Sequence, residues 1–223
     1  MDNKMNIRKR RKTTIIMALI LLLLLVAAGA LFLLRPTIRE KQRRAAEELL
    51  ISQIQAGQTH IEDFSPPEVE GEALEFGELE EPYTAEPRVV TGYGLISIPS
   101  IELEMAVVQG ADNYALRAAA GWLPESAEMG KAGNCVIFGH RMVEYGQHFN
   151  RLDELEEGDK ISLYNASGES FTYSVTGKEI IEPSVLMDTL KAHNEGFSLT
   201  LVTCTPTGIG SHRLLVYAVL DNQ

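Results

Sequence analysis

Positive charge is scarce beyond residue 44. The first 44 residues carry 11 Lys and Arg against 2 Asp and Glu, whereas the rest carry 9 against 29, a net of −20. A surface that acidic excludes nucleic acid as a partner, because a phosphate backbone needs a positive face. Cysteine is nearly absent: Cys135 and Cys204 are the two, enough for one disulfide on counting alone. Close-spaced Cys or His ligand pairs are missing as well. A metal site assembled from Cys135, His140 and Cys204 therefore has no spacing to support it, and neither metal nor cofactor is expected. Internal repeats are absent. Between residues 61 and 87 there is no basic residue at all, while ten acidic residues and Pro66, Pro67, Pro82 and Pro87 fall there. That composition buries too little apolar surface to offset chain entropy, and it reads as an extended, self-repelling linker.

What the chain does have begins with Thr13 to Leu34, an uncharged apolar run of 22 residues. It is long enough for a helix to cross ~30 Å of hydrocarbon. A cleavable signal peptide is the competing reading, because Ala28-Gly29-Ala30 has the small-x-small form of a cleavage site. The run outlasts the usual ~7–15-residue signal core and continues through Leu31-Phe32-Leu33-Leu34, which favours an uncleaved anchor. Six basic residues precede the span and five follow it, so the positive-inside bias barely orients it. The cluster abutting Thr13 points to an inside N-terminus and an outside remainder. The expected organisation is a cytoplasmic basic tail (1–12), a transmembrane helix (13–34) in contact with membrane lipid, a juxtamembrane helical stalk (35–57), the acidic linker (58–90) and a folded domain (91–223). This makes the protein a single-pass resident of the cell membrane with its folded domain extracellular. The stalk, rich in Arg, Glu, Ala and Leu from Ile38 to Ile54 and ended by Gly57, reads as a solvated helix, with a partner-binding helix as the alternative.

From about Thr91 the pattern becomes globular. Leu95–Ile98 and Leu103–Val108 read as strands around a turn at Pro99-Ser100, and Asn134–Phe138 as a short buried strand. Lys160–Tyr164 and Ser170–Val175 alternate apolar and polar residues about a turn at Asn165–Gly168, and Lys178–Ile181 extends the second. Phe197–Cys204 and Arg213–Leu220 complete the strands; Tyr114–Ala120 and Phe149–Leu155 read as short helices. About eight short strands with two small helices predict a mostly β, closed or nearly closed barrel.

The chemistry gathers at Thr200-Leu201-Val202-Thr203-Cys204, a strand ending on a thiol. A turn through Pro206, Gly208 and Gly210 leads to a second strand headed by Arg213. A thiol and a guanidinium at neighbouring strand ends can face one carbonyl, the first attacking it and the second steadying the charge on its oxygen. Buried packing is the bland alternative for Cys204, because cysteine is among the most buried residue types. Acid/base work calls for a histidine. His140 follows Ile137-Phe138-Gly139, where an apolar strand leaves the core, and is the best placed of the five. His60 precedes the folded domain, His148 and His193 lie in polar surroundings and read as surface residues, and His212 shares a strand with Arg213 but faces the other way. Cys135, beginning an apolar strand, is expected to pack inside.

These segments resemble the sortases, the membrane-anchored cysteine transpeptidases of Gram-positive bacteria. Thr200-Leu201-Val202-Thr203-Cys204 fits the family's Thr-Leu-x-Thr-Cys signature, and Phe138-Gly139-His140-Arg141 and Arg213-Leu214-Leu215-Val216 fit its other two catalytic segments. The order His, Cys, Arg and the separations of 64 and 9 residues also fit, over about Gly92 to Leu220 plus the anchor. The resemblance implies an eight-stranded sortase-type β-barrel and a catalytic set of His140, Cys204 and Arg213. Cys204 would attack the Thr–Gly amide of an LPxTG-like sorting signal on a secreted protein, Arg213 would stabilise the oxyanion, and His140 would protonate the leaving amine and later deprotonate the incoming one. The thioester would be resolved by an amine of a cell-wall (peptidoglycan) precursor or by a pilin lysine, with no metal required.

The motifs look most like the pilin-polymerising class C. Those enzymes usually carry a C-terminal membrane span too, and this chain stops at Gln223. They usually carry an Asp-Pro-aromatic lid as well; the nearest match, Glu81-Pro82-Tyr83, reads as ordinary linker with a lid as the alternative. A housekeeping-type or class D-like enzyme stays open. Two further readings also stand: a tethered cysteine peptidase that only hydrolyses its acyl-enzyme, and a non-catalytic surface β-domain.

Overall fold

The computed structural model divides the chain into two compact units, Met1–Gln42 and Arg43–Gln223. It describes helical positions 17, 20–23, 25, 26 and 29, and then residues 41–42, 44–64, 88–112, 114–117, 119–141 and 148–221. Most of the expected span, and Glu81-Pro82-Tyr83 with the rest of 65–87, lie outside the described residues. Among those described, no helix is long and apolar enough to cross a membrane.

The second unit opens with helix α1 (residues 44–55) and strand β1 (His60–Phe64). Eight more strands follow: β2 (Arg88–Ile98), β3 (Leu103–Gln109), β4 (Ala120–Trp122), β5 (Gly133–Phe138), β6 (Lys160–Asn165), β7 (Ser170–Ile181), β8 (Phe197–Thr205) and β9 (His212–Leu220). A short helix, α2 (Leu186–Ala192), precedes β8. Strands β2 to β9 run in the order β2-β3-β4-β5-β8-β9-β7-β6, and pairing of β6 with β2 closes the ring. The expected eight-stranded barrel is therefore present, with β1 added outside it along the start of β2. At the closing seam Gly94 pairs with Asn165 in a space that admits no side chain, for a Cβ there would stand 2.1 Å from the Tyr164 carbonyl oxygen.

Alternation along the strands sorts side chains to the two faces of the barrel wall. On β5 and β8, Cys135, Ile137, Leu199 and Leu201 fill the interior, joined from the other strands by Ile96, Met105, Leu163, Tyr173 and Val216. Phe149, Leu152 and Leu155 plug one end. The intervening residues Val136, Phe138, Val202 and Cys204 face outward and pack with Leu116 and with Leu186 and Leu190 of α2. All eight barrel strands are thus held by apolar burial on the inside, and one outer face is partly roofed.

Two sequence expectations are corrected. The segment expected to be a solvated stalk is anchored from residue 44 onward: Leu50 and Ile54 are buried against Ile61, Phe64, Val90 and Val108. Four-residue spacing puts both on one face of α1, and β1 supplies the apolar partners. The helix expected over Tyr114–Ala120 is only a 3-10 turn at Ala115–Arg117, started by Asp112, whose Oδ1 accepts the Ala115 N–H at 2.7 Å. Ala120 then enters β4, parallel to β3. The second short helix, at Phe149–Glu154, is also 3-10.

Leu50→Ala is expected to cost about 2–4 kcal/mol of stability, the usual range for emptying a filled apolar site. Leu49→Ala, on the exposed face of the same helix, should stay within about 0.5 kcal/mol. Urea unfolding of the two variants checks this, and equal midpoints would show that α1 does not pack as described.

Candidate active site

The site is built by strand register. On the antiparallel pair β8–β9, Cys204 stands directly opposite Arg213, so both side chains leave the same face of the sheet with Cβ atoms about 4.5–5.5 Å apart. On the other side of β8 runs β5 in parallel, with Phe138 beside Val202. The chain holds that register past the end of β5: the Gly139 N–H donates to the Val202 carbonyl at 3.0 Å, and Thr203 Oγ1 donates to the Gly139 carbonyl at 2.7 Å. One step further places His140 alongside Cys204. Counting by twos from Val136 and Phe138 puts His140 on the outer face as well. The three residues predicted from sequence are therefore brought together on one face of three adjacent strands, with the thiol in the middle.

The signature around Cys204 has a local reason at each position. Thr200 faces outward and donates to Asn134 Oδ1 at 2.8 Å, while Asn134 Nδ2 donates to the Leu190 carbonyl at 3.3 Å, which seats α2 against the sheet. Leu201 fills the barrel, and Thr203 makes the bond to Gly139 just described. Beyond Cys204 the Thr205-Pro206 peptide is cis. Gly210, at φ +66°, brings the turn back over the thiol: a Cβ there would lie 3.8 Å from Sγ. Glycine adopts that φ without the strain a side chain brings, while the space itself would admit a Cβ in ordinary contact with the thiol.

Arg213 is buried, and its Nη1 donates to the carbonyls of Gly210 at 2.9 Å and His212 at 3.1 Å. His140 is partly buried; its carbonyl accepts the Phe149 N–H at 3.0 Å. Burial first, and then the positive charge of Arg117, push its imidazole down to about 4 from an ordinary 6.5. At neutral pH His140 is therefore an unprotonated base.

The remaining candidates fall away from the site or change standing. Cys135 lies inside the barrel with its thiol pushed up to about 12 by burial, and neither cysteine is in a disulfide. Being on opposite faces of the wall, Cys135 and Cys204 cannot bond to each other or share a metal. Among the described residues no group of three His, Cys, Asp or Glu is placed to hold a metal ion. His60 begins β1, His193 stacks on Tyr217 with ring centroids 4.2 Å apart, and His212 Nε2 meets Glu182 Oε1 at 3.1 Å. His148, expected at the surface, is instead buried and lies with its ring centroid 6.4 Å from that of His140. Its polar neighbours in sequence conceal this; the signal that could expose it is the apolar Phe149 next to it, which pulls the segment into the barrel mouth. Arg117 escapes sequence reasoning for a similar reason, since a 3-10 turn has no periodic signature.

Because His140 binds its proton less readily in the folded state than in the unfolded one, the unfolded chain holds more protons between pH 6.5 and about 4. Stability is therefore lost as pH falls through that window, by at most about 3 kcal/mol and by less for a partly exposed ring. Urea unfolding at pH 7 and pH 4.5 should show a smaller acid penalty for His140→Gln than for the wild type. Equal penalties would mean that His140 is not held in this environment.

Comparison with known proteins agrees with the geometry. The sortase domain family matches residues 96–221. The chain is 35% identical over 123 residues to sortase A of Bacillus anthracis and 31% identical over 136 residues to sortase D of Bacillus subtilis (strain 168), the matches covering 55% and 59% of this chain. It spans 57% and 65% of the lengths of those two relatives. The crystal structure of sortase C-1 from Actinomyces oris superposes with a TM-score of 0.53 at 29% identity, covering 58% of this chain and 73% of that one. With the family's domain matched over more than half of its length, its barrel reproduced and its signature segments adjacent in space, the chain belongs to the sortase family.

Proposed function

We propose that the protein is a cysteine transpeptidase that cleaves an LPxTG-like sorting signal of secreted proteins and joins the new acyl end to an amine. The observation that carries this reading is the direct pairing of Cys204 with Arg213, with His140 at the next strand exit on the same face. In the first half-reaction neutral His140 takes the thiol proton of Cys204 and the sulfur adds to the Thr–Gly carbonyl. The Arg213 guanidinium balances the oxyanion. The imidazolium then gives the same proton to the leaving amine, and a thioester remains. In the second half-reaction His140, neutral again, deprotonates the incoming amine as it attacks; the C–S bond then breaks and the imidazolium returns that proton to the Cys204 sulfur, restoring the thiol and the neutral base. The acceptor class is an amine of a peptidoglycan precursor or a pilin lysine. The apolar run from Thr13 to Leu34 supports placing this unit outside the cell on a single-pass anchor.

The test is mass spectrometry of products from a peptide containing Leu-Pro-Glu-Thr-Gly, with and without triglycine or a lysine-containing pilin peptide. Transpeptidation predicts an amine-joined product that grows at the expense of the free acid as amine is added. Free acid alone with every amine would make the protein a peptidase.

A further inference from the structure

We propose that Arg141 is a positioning residue for this site, clamping Thr205 to the segment that carries His140 and so fixing the spacing between His140 and Cys204. The inference rests on the reading of those two as the reacting pair. The backbone ladder between β5 and β8 ends at Phe138 and Val202, before the functional residues are reached. Beyond it, side chains take over the pairing in the same register. Thr203 Oγ1 reaches the Gly139 carbonyl at 2.7 Å, and Arg141 Nη1 donates to Thr205 Oγ1 at 2.8 Å. Residue 139 thus stays beside 203 and 141 beside 205, and the pair between them, His140 and Cys204, is bracketed on both sides.

Alternation gives the clamp its place. His140 and Cys204 face outward, so Arg141 and Thr205, one residue on in each segment, turn to the opposite face and hold the reacting pair from below without touching it. The clamp has its own anchor: Arg141 Nη2 lies 2.7 Å from Asp153 Oδ1, on the 3-10 turn that plugs the barrel mouth. The Arg141 side chain is 8% exposed and that of Asp153 54%. The charge is therefore compensated from the solvent side while the hydrogen-bonding fork points inward. Arg141 also makes a backbone bridge to His148. A planar fork can hold a hydroxyl and a carboxylate at a fixed angle; an ammonium on a flexible stem cannot. Misplacing a reacting group by ~1 Å is enough to cost on the order of 100-fold in rate.

The test uses the whole protein and four variants: Arg141→Lys, Arg141→Met, Thr205→Val and Thr205→Ser. With the Leu-Pro-Glu-Thr-Gly peptide, Arg141→Met should lower kcat by about 30–100-fold with KM within about twofold, as expected for lost alignment and not lost binding. Arg141→Lys and Thr205→Val should each lose about tenfold, Thr205→Ser should restore most of what valine removes, and Arg141→Met/Thr205→Val should be no worse than Arg141→Met alone, because the two act through one bond. NMR titration of His140 needs no substrate: its midpoint, about 4 in the intact site, should rise in Arg141→Lys and Arg141→Met alike. Losses that multiply in the double variant, a loss carried by KM, or a His140 midpoint unmoved by either Arg141 variant would each overturn the proposal. A wild-type protein inert toward every sorting peptide would defeat the transpeptidase reading alone, since the titration would still decide the clamp. Should Arg141→Met fail to fold, the near-isosteric Thr205→Val decides the question in its place.

Discussion

Cys204→Ala is expected to abolish turnover, by about 10⁴-fold or more in kcat, and to eliminate any thioester adduct with a sorting peptide. The fold should hardly notice. Cys204 sits on the outer face of β8, 5% exposed, and the substitution removes one sulfur from contacts with the Gly210 turn and its apolar neighbours. A cost of about 1 kcal/mol or less is expected for so small a deletion at a site the turn can partly close over. Cys135→Ala is the mirror image. That thiol is fully buried inside the barrel, so its loss should lower stability by about 1–2 kcal/mol while peptide cleavage continues. Peptide turnover and a thermal melt on both variants separate the roles. Turnover surviving in Cys204→Ala would remove the nucleophile from the proposed reaction.

Arg213→Lys ranks next. Charge is retained, yet kcat/KM should fall by about 10²–10³, the range seen when one oxyanion donor is withdrawn. The reason lies in how the guanidinium is divided. Nη1 alone serves two carbonyls, those of Gly210 and His212, and this fixes the plane of the group while other N–H bonds of the same plane are directed elsewhere. A lysine ammonium can answer those carbonyls or reach a substrate oxygen, but its single nitrogen does not do both at a set angle. Arg213→Met should add a stability loss of about 1–2 kcal/mol, because two half-buried carbonyls lose their donor. Steady-state kinetics with the sorting peptide reads the first effect and urea unfolding the second. An Arg213→Lys enzyme within threefold of wild type would show that the side chain supplies only charge.

The candidate face is legible in the sequence because strand alternation is a local code. Cys204 and Arg213 head or end apolar runs, and His140 sits two residues past one, so period-two counting already points to a common side. The parallel pairing of β5 with β8 is not legible, since 64 residues separate His140 from Cys204 and no local pattern reports which strands become neighbours. The same gap hides Arg141, whose Arg-Thr contact exists only once that register is set. Elements too short to show a period escape the pattern altogether: β4 has three residues, and the turn at Ala115–Arg117 has three more. Helix α1 is legible as a helix but not as a buried one, because the apolar strip of Leu50 and Ile54 is narrow and its partners on β1 lie in a stretch otherwise dominated by acidic residues. In each case composition describes the average of a segment while the structure uses two or three exceptional residues within it.

A barrel packed solid with side chains is a platform and not a vessel. Barrels that enclose their ligands cap the size of a guest by the volume of the lumen. Here Cys204, Arg213 and His140 stand on the outside of a wall whose interior is already filled by Ile137, Leu199, Leu201 and Val216. For the proposed reaction nothing has to be swallowed, so bulk would set no limit: a large folded molecule would offer one extended tail to the wall while its body stayed in solvent.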